Sequence, residues 1–418
     1  MPRPAAILMF LGLAVATLAF LVGCTSESED STTDPAPPAA AEVAPKPEPT
    51  PTAVPTPSLS LPITEDTLTA PRIMGEGINE WINSEELILA ELQAENKVVL
   101  IDFWTYTCIN CIRTLPYLKQ WHDKYADRGL VIIGVHTPEF EFEKSLDNVK
   151  EAVEGFEIKY PVVQDNNYWT WNVFNNRYWP AKYLIDKDGY VRYSHFGEGK
   201  YDETEQAIRL LLEEADQAVA DISDDENPVR LVAPNALSSR NPDGLTRELY
   251  AGTHRNYSAL RSGIRAPYVL NEEYYKRANT DTEYTDPGDW QNHHIYLQGL
   301  WHNGEESLRH ARMTEDFEDY MALSFNAVDV NVVLRTQSET PYTVQIRMDG
   351  EPLSSEDAGN DIWFDDEGRS FITVDEPRLY GLVRLDGFES HELTLSSNSD
   401  EFEVFAFTFG AYVLHPEV

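Results

Sequence analysis

Residues 97–111 read KVVLIDFWTYTCINC. From Val98 to Trp104 the stretch is dense in β-branched and aromatic side chains, which predicts a buried strand. Beyond it, Ile112, Leu115, Leu118, Trp121 and Tyr125 recur at helical spacing and share one face, predicting a helix from Cys111 to Tyr125. The C-x-x-C pair, Cys108 and Cys111, therefore falls where a strand hands over to a helix. At a helix N-terminus, unpaired N–H groups and the macrodipole favour an anion. A thiolate is the attacking form of cysteine, so Cys108 is expected to have a lowered pKa. Cys111, one turn later, is expected to be within reach but more buried. That asymmetry suits disulfide exchange, in which an exposed thiol attacks and a sheltered one resolves the mixed disulfide.

Working outward, GLVIIGVH at 129–136 predicts a second buried strand and EKSLDNVKEAVEGF at 143–156 a helix. YPVVQD at 160–165 is short and extended. AKYLIDKDGYVRYSHFG at 181–197 reads as a hairpin turning at Lys187-Asp188-Gly189, and 202–221 as an amphipathic helix. Strands alternating with helices imply an α/β sheet covered on both faces, over residues 71–220.

The whole chain has 418 residues, enough for two domains, and a formal net charge of -39. Phosphates would be repelled by that charge, so nucleic acid is not an expected partner. Met1-Pro2-Arg3 is followed by an almost wholly apolar run, Ala5 to Val22, then Gly23-Cys24. Residues 1–23 are expected to be a lipoprotein signal peptide, with Cys24 taking the lipid. An uncleaved signal anchor is the alternative, and both place the rest of the chain outside the cytoplasm. Residues 24–70 are crowded with proline, serine and threonine and are expected to form a disordered tether. With Cys24 lipidated, Cys108 and Cys111 remain of the three cysteines. A lone C-x-x-C closes too short a loop to act as a staple, so the count points to chemistry.

Further residues extend this reading. Asp102 lies six residues before Cys108, Trp104 four before it, Pro116 five after Cys111, and Trp179-Pro180 directly before AKYLID. Together they resemble the thioredoxin superfamily, in its extracytoplasmic TlpA-like branch. The phrases FWTYTCINCIRTLPYL and YWPAKYLIDKDGYVRYSHFGEG are similar to the soluble part of DipZ-type thiol–disulfide proteins, over roughly residues 75–415. The resemblance implies a buried acid at Asp102 that manages the proton of the resolving cysteine. It also implies a cis-proline at Pro180 that, with Trp179 and Trp104, meets extended substrate backbone. It requires no cofactor beyond a Cys108–Cys111 disulfide. Two departures stand out. No multi-helix membrane portion precedes the domain, so the expected electron donor is a separate membrane protein such as a CcdA-like transporter. Ile109-Asn110 replaces the Gly-Pro of thioredoxin.

Other chemistries remain open for the pair. His122 and His136 could complete a zinc or copper site, although no metal is expected. Thr105, three residues before Cys108, matches half of a peroxidatic P-x-x-x-T-x-x-C pattern, whose proline position holds Ile101.

After residue 230 the pattern changes to period two. Tyr342, Val344, Ile346 and Met348 would face one core, and Asp349-Gly350 signals a hairpin. Residues 230–418 are expected to form a β-sandwich, jelly-roll-like domain. LQGLWHNGEESLRH, EPRLYGLVRL and VFAFTFG resemble the carbohydrate-binding-module-like domain of DipZ-type proteins, which makes a glycan a possible ligand. Trp290, Tyr296, Trp301, Trp363 and Tyr380 are candidate stacking residues. His293, His294, His302 and His310 have no recognised metal spacing. The leading expectation is a membrane-tethered thiol–disulfide oxidoreductase for protein disulfides, reductive in direction. The competing one is a surface glycan- or protein-binding lipoprotein with a structural or metal-binding cysteine pair.

Overall fold

In the computed structural model, residues 59–414 are described, except 65–66, 71–79, 223–228, 232–243, 264–265 and 339. The expected signal peptide and Cys24 lie outside the described residues. The first domain runs β1 (Trp81–Ile82), α1 (Leu89–Ala94), β2 (Val98–Trp104), α2 (Ile109–Tyr125), β3 (Leu130–His136), α3 (Leu146–Gly155), β4 (Val162–Gln164), α4 (Trp169–Val173), β5 (Ala181–Ile185), β6 (Val191–Phe196) and α5 (Tyr201–Glu214). Its sheet has the order β1-β4-β3-β2-β5-β6. Strands β4, β3 and β2 are parallel, while β1, β5 and β6 are antiparallel to their neighbours.

β2 is buried at all seven positions because both sheet faces are covered. Val98, Leu100 and Trp104 pack with α2, α3 and α5 on one side. Val99, Ile101 and Phe103 pack with Leu89, Leu92 and Trp171 on the other. The end of the expected tether is a correction. Leu59 and Leu61 pack against this core, Arg192 donates to the Leu61 carbonyl, and the Ala70 N–H donates to Gly189 O at 2.7 Å. Apolar side chains and backbone partners are available there, and the extended segment uses both.

The second domain contains β7 (Val229–Leu231), β8 (Leu249–Tyr250), α6 (Thr253–Ser262), β9 (Asp281–Tyr284), β10 (Ile295–Asn303), β11 (Leu308–His310), β12 (Tyr320–Arg335), β13 (Tyr342–Met348), β14 (Glu351–Pro352), β15 (Trp363–Phe364), β16 (Ser370–Val374), β17 (Arg378–Ser396), β18 (Glu403–Gly410) and β19 (Tyr412–Leu414). β7 and β19 pair with each other, and the rest form one large antiparallel sheet. The long strand β12 pairs with β17 along one edge. Its other edge is divided between β10 and β18. The sheet thereby curls around one apolar core that includes Trp301, Phe325, Val344, Ile346 and Tyr380. Asp349 and Gly350 both have positive φ, as the tight turn between β13 and β14 requires.

The two domains belong to one packed unit, Ser58–Val418. Phe140 and Phe142, after β3, meet Phe405 of β18 at centroid distances of 5.2 and 4.9 Å. Arg113 of α2 reaches Asp329 of β12 with Nη2 2.7 and 2.8 Å from the two carboxylate oxygens, and Glu198 with Nη1 at 3.2 Å. Gly410 makes room for this: a Cβ there would collide with Arg113 Nη2 and Asp329 Oδ2. The helix is consequently buried on more than the single predicted face, with Arg113, Thr114 and Tyr117 covered as well.

Candidate functional site

Cys108 is the N-cap of α2. Its Sγ accepts the Cys111 N–H at 3.3 Å, so the two cysteines are joined as the strand–helix junction predicts. Cys111 is fully enclosed, and Cys108 is only 7 % exposed. That enclosure corrects the expected electrostatics. Burial raises the Cys108 thiol above its ordinary value, the Cys111 hydrogen bond offsets part of the rise, and Glu248 and Glu139 add to it. Burial is the largest of these influences, and it acts on a thiol that sits at the helix N-terminus. Glu248 comes from the second domain. Its Oε2 and Glu139 Oε1 share the Tyr250 hydroxyl at 3.0 and 2.9 Å, and Arg255 holds Glu139 at 2.7 Å. Cys111 is raised well above its ordinary value, by burial first, then by Cys108 and Asp102.

Asp102 is buried on β2, with Lys182 of β5 opposite it in register. Lys182 Nζ lies 3.8 Å from Asp102 Oδ1, too long for a hydrogen bond, and neither atom has a hydrogen-bond partner among the described residues. Burial lifts the Asp102 carboxyl to about 7, against the pull of Lys182. Burial likewise lowers Lys182, against the pull of Asp102 and Cys111. A carboxyl in this state can take up or release a proton near neutrality, beside a thiol that must lose one.

The rise also sets a stability prediction. The protonated carboxyl's contribution is complete below its ordinary value of 3.8 and is lost as pH climbs through about 7. Asp102→Asn should therefore be more stable than the parent at pH 8, with a ceiling of about 4 kcal/mol less the cost to unpaired Lys182. The difference should vanish near pH 4. Urea unfolding at both pH values checks this, and a variant no more stable at pH 8 refutes the burial of an ionisable Asp102.

The Trp179–Pro180 peptide is cis. Trp179 is half-buried, donates Nε1 to the Thr137 carbonyl at 3.0 Å, and packs on Trp171 at 4.2 Å. The Pro180 carbonyl is engaged by Gly197 N–H at 2.8 Å. Trp104, expected to meet substrate, is instead a core residue with no exposed surface, its ring edge-on to His136 at 5.2 Å. The strand that carries it is covered on both faces, which leaves no route to solvent. Thr105 is likewise buried, 3.3 Å from His136 Nε2. Burial brings His136 down to about 3, so it is neutral throughout the physiological range.

Several site residues carry no signal in the sequence motif. Glu143 is buried, receives the Thr107 hydroxyl directly before Cys108, and also accepts the Glu139 and Phe140 N–H groups. It thus ties the loop that docks the second domain to the cysteine turn. Arg113 and Asp329 meet across 216 residues of sequence, a separation at which no local pattern exists. Lys182 did leave a trace, as a lone cation inside the apolar strand AKYLI.

Among the described residues no three His, Cys, Asp or Glu side chains converge as a metal site. Tyr296, Trp301 and Tyr380, candidates for stacking on a ligand, are core residues. Trp290 is half-buried with its Nε1 on Asp286, and Trp363 is 40 % exposed.

Comparison with known proteins agrees with this geometry. A family profile described as thioredoxin-like matches residues 96–191, and one described as a thioredoxin-like C-terminal domain matches 246–410. DipZ of Mycobacterium tuberculosis is 33% identical over 351 residues, covering 82% of this chain and 43% of DipZ. The chain thus spans less than half the length of that relative. NHL repeat-containing protein 2 of Homo sapiens is 40% identical over 139 residues, 33% of this chain and 19% of that protein. The thiol-disulfide oxidoreductase YkuV of Bacillus subtilis is 30% identical over 146 residues, 35% of this chain and 95% of YkuV. With the strand–helix dithiol, the sheet order and a relative covered almost end to end, the chain belongs to the thioredoxin superfamily.

Proposed function

We propose that the chain exchanges disulfides with protein substrates through Cys108 and Cys111, in the reductive direction and without a separate cofactor. The observation that carries this is the Cys111 N–H on Cys108 Sγ at the head of α2, with Asp102 buried beneath. Cys108 thiolate attacks one sulfur of the substrate disulfide, and the other sulfur leaves and takes a proton. Cys111, giving its proton to Asp102, then attacks Cys108 Sγ. The enzyme disulfide forms, the second substrate thiol departs, and two electrons have passed to the substrate. Trp179 and Pro180 hold the extended substrate backbone beside the pair. A stabilised thiolate makes a dithiol oxidising, so the raised Cys108 thiol supports the reductive direction.

The apolar start, Cys24 and the proline-rich stretch support a lipid-anchored, extracytoplasmic location. A CcdA-like membrane protein would then recharge the dithiol. The half-exposed Trp363, stacked on Phe371 at 5.1 Å, supports a glycan as a secondary ligand of the second domain. In an insulin-reduction assay with dithiothreitol, the chain should accelerate precipitation and Cys108→Ser should fall to the dithiothreitol background. Equal rates for the two proteins would defeat the reading.

A further inference from the structure

Tyr106, two residues before Cys108, and Ile112, directly after Cys111, bracket the dithiol and line one cavity of about 360 Å³. That volume lies within the about 300–1,000 Å³ of small-ligand sites. Ile112 is one helical turn beyond Cys108, its N–H on the Cys108 carbonyl at 3.0 Å, so the cavity flanks the first turn of α2. A second wall is α3, where Asn148, Glu151, Ala152 and Gly155 follow at helical spacing and share one face. Val149 and Val153 occupy the buried face of the same helix. Ala152 and Gly155 leave the room. An added Cβ at Gly155 would meet no atom within 4 Å, so the space there is open. The third wall is residues 376–379 of the second domain, which lead into β17. Leu379 also packs against Phe140 and Phe405, so the cavity adjoins the seam between the domains.

The lining is an apolar slot with an acidic rim. Ile112, Ala152, Phe156, Pro377 and Leu379 supply apolar wall, and two exposed carboxylates, Glu151 and Glu376, stand against one guanidinium, Arg378. Arg378 is already engaged within the protein. Its Nη2 is 2.9 Å from Asp361, its Nε 2.9 Å from Glu376, and the guanidinium lies 3.8 Å from the Tyr380 ring. Glu151 has no ion-pair partner among the described residues. The Tyr106 hydroxyl accepts Asn148 Nδ2 at 3.4 Å, and its own hydrogen has no acceptor among the described residues.

We infer that this cavity receives a lysine or arginine side chain of the substrate polypeptide, from the segment joined to Cys108 in the mixed disulfide. This rests on the disulfide-exchange reading above and names its substrate class: proteins with a cationic residue close to the cysteine under attack. A long aliphatic stem lies along the apolar wall while its charged head reaches Glu151 at the rim. The Tyr106 hydroxyl donates to a carbonyl of the same segment. A chain of net charge -39 also draws cationic partners to the encounter.

The test uses internally quenched peptides, each closed by one disulfide and carrying Lys, Leu or Glu beside a cysteine. Second-order reduction rates by the pre-reduced full chain are each divided by the rate for hydroxyethyl disulfide, which has no side chain to place. The lysine peptide should outpace the leucine peptide several-fold and the glutamate peptide about tenfold at low salt, with the gap narrowing at high salt. Glu151→Gln should erase most of the lysine-over-glutamate preference. Gly155→Leu fills the open space with a better helix former, and should slow the lysine peptide several-fold against the reference. No preference among the peptides, or a preference untouched by both variants, overturns the assignment. A leucine peptide that is fastest also overturns it and makes the occupant apolar. If hydroxyethyl disulfide and every peptide stay unreduced, the disulfide-exchange reading itself fails, which is a distinct result.

Discussion

Cys111→Ser should trap the chain on its substrates. With the resolving thiol gone, Cys108 still attacks but the mixed disulfide has no internal exit, so turnover falls to background while adducts accumulate. Non-reducing electrophoresis of cells expressing the variant should show bands that collapse on reduction and are absent from Cys108→Ser/Cys111→Ser. The expectation follows from the unequal surroundings of the two sulfurs. Cys108 retains some surface, whereas Cys111 is sealed on the buried face of α2. Trapped species that survive loss of Cys108 would assign the attack to the wrong sulfur.

The second large effect concerns the join between domains. Asp329→Ala removes the bidentate partner of a buried guanidinium whose side chain is 6% exposed. Breaking such a pair costs about 3–5 kcal/mol, and the surviving Glu198 contact puts this case near the lower end. Gly410→Leu should act at least as strongly, since any side chain there displaces Arg113 from Asp329. Both variants should split the unfolding of the full chain into two transitions and speed iodoacetamide modification of Cys108, whose thiol is raised in part by Glu248 of the second domain. Unfolding as one unchanged transition, with Cys108 no more reactive, would show that the domains are not closed over the dithiol in solution.

How far the sequence alone reaches can be read from particular residues. β2, α2 and the hairpin at Gly189 were legible because each rests on local periodicity or turn chemistry, and the Cys108–Cys111 junction came with them. Asp102 and Pro180 were legible through resemblance. Trp104 was misplaced, since an aromatic at a strand end reads alike whether its face is covered or open. The lowered Cys108 pKa was misjudged for a related reason. The helix terminus is local, but the burial that raises the thiol is a property of the packed fold, and the Glu248 carboxylate that adds to it arrives from beyond residue 240. Arg113 and Asp329 were invisible, because long-range pairing leaves no spacing to find. In the second domain the strands and the Asp349-Gly350 turn were legible. Their closure into one curled sheet was not, because the divided edge of β12 is set by β10 and β18, partners distant from each other in the sequence.

The seat of Arg113 against Gly410 also bears on modular engineering. A redox domain cut away at its C-terminal side would carry Arg113, Phe140 and Phe142 into water without Asp329 and Phe405. Two bare phenylalanines beside a guanidinium form an adhesive patch on an otherwise acidic molecule. A useful minimal version must therefore be recoded at those three positions, or be transplanted together with β12 and β18 as one inseparable cassette.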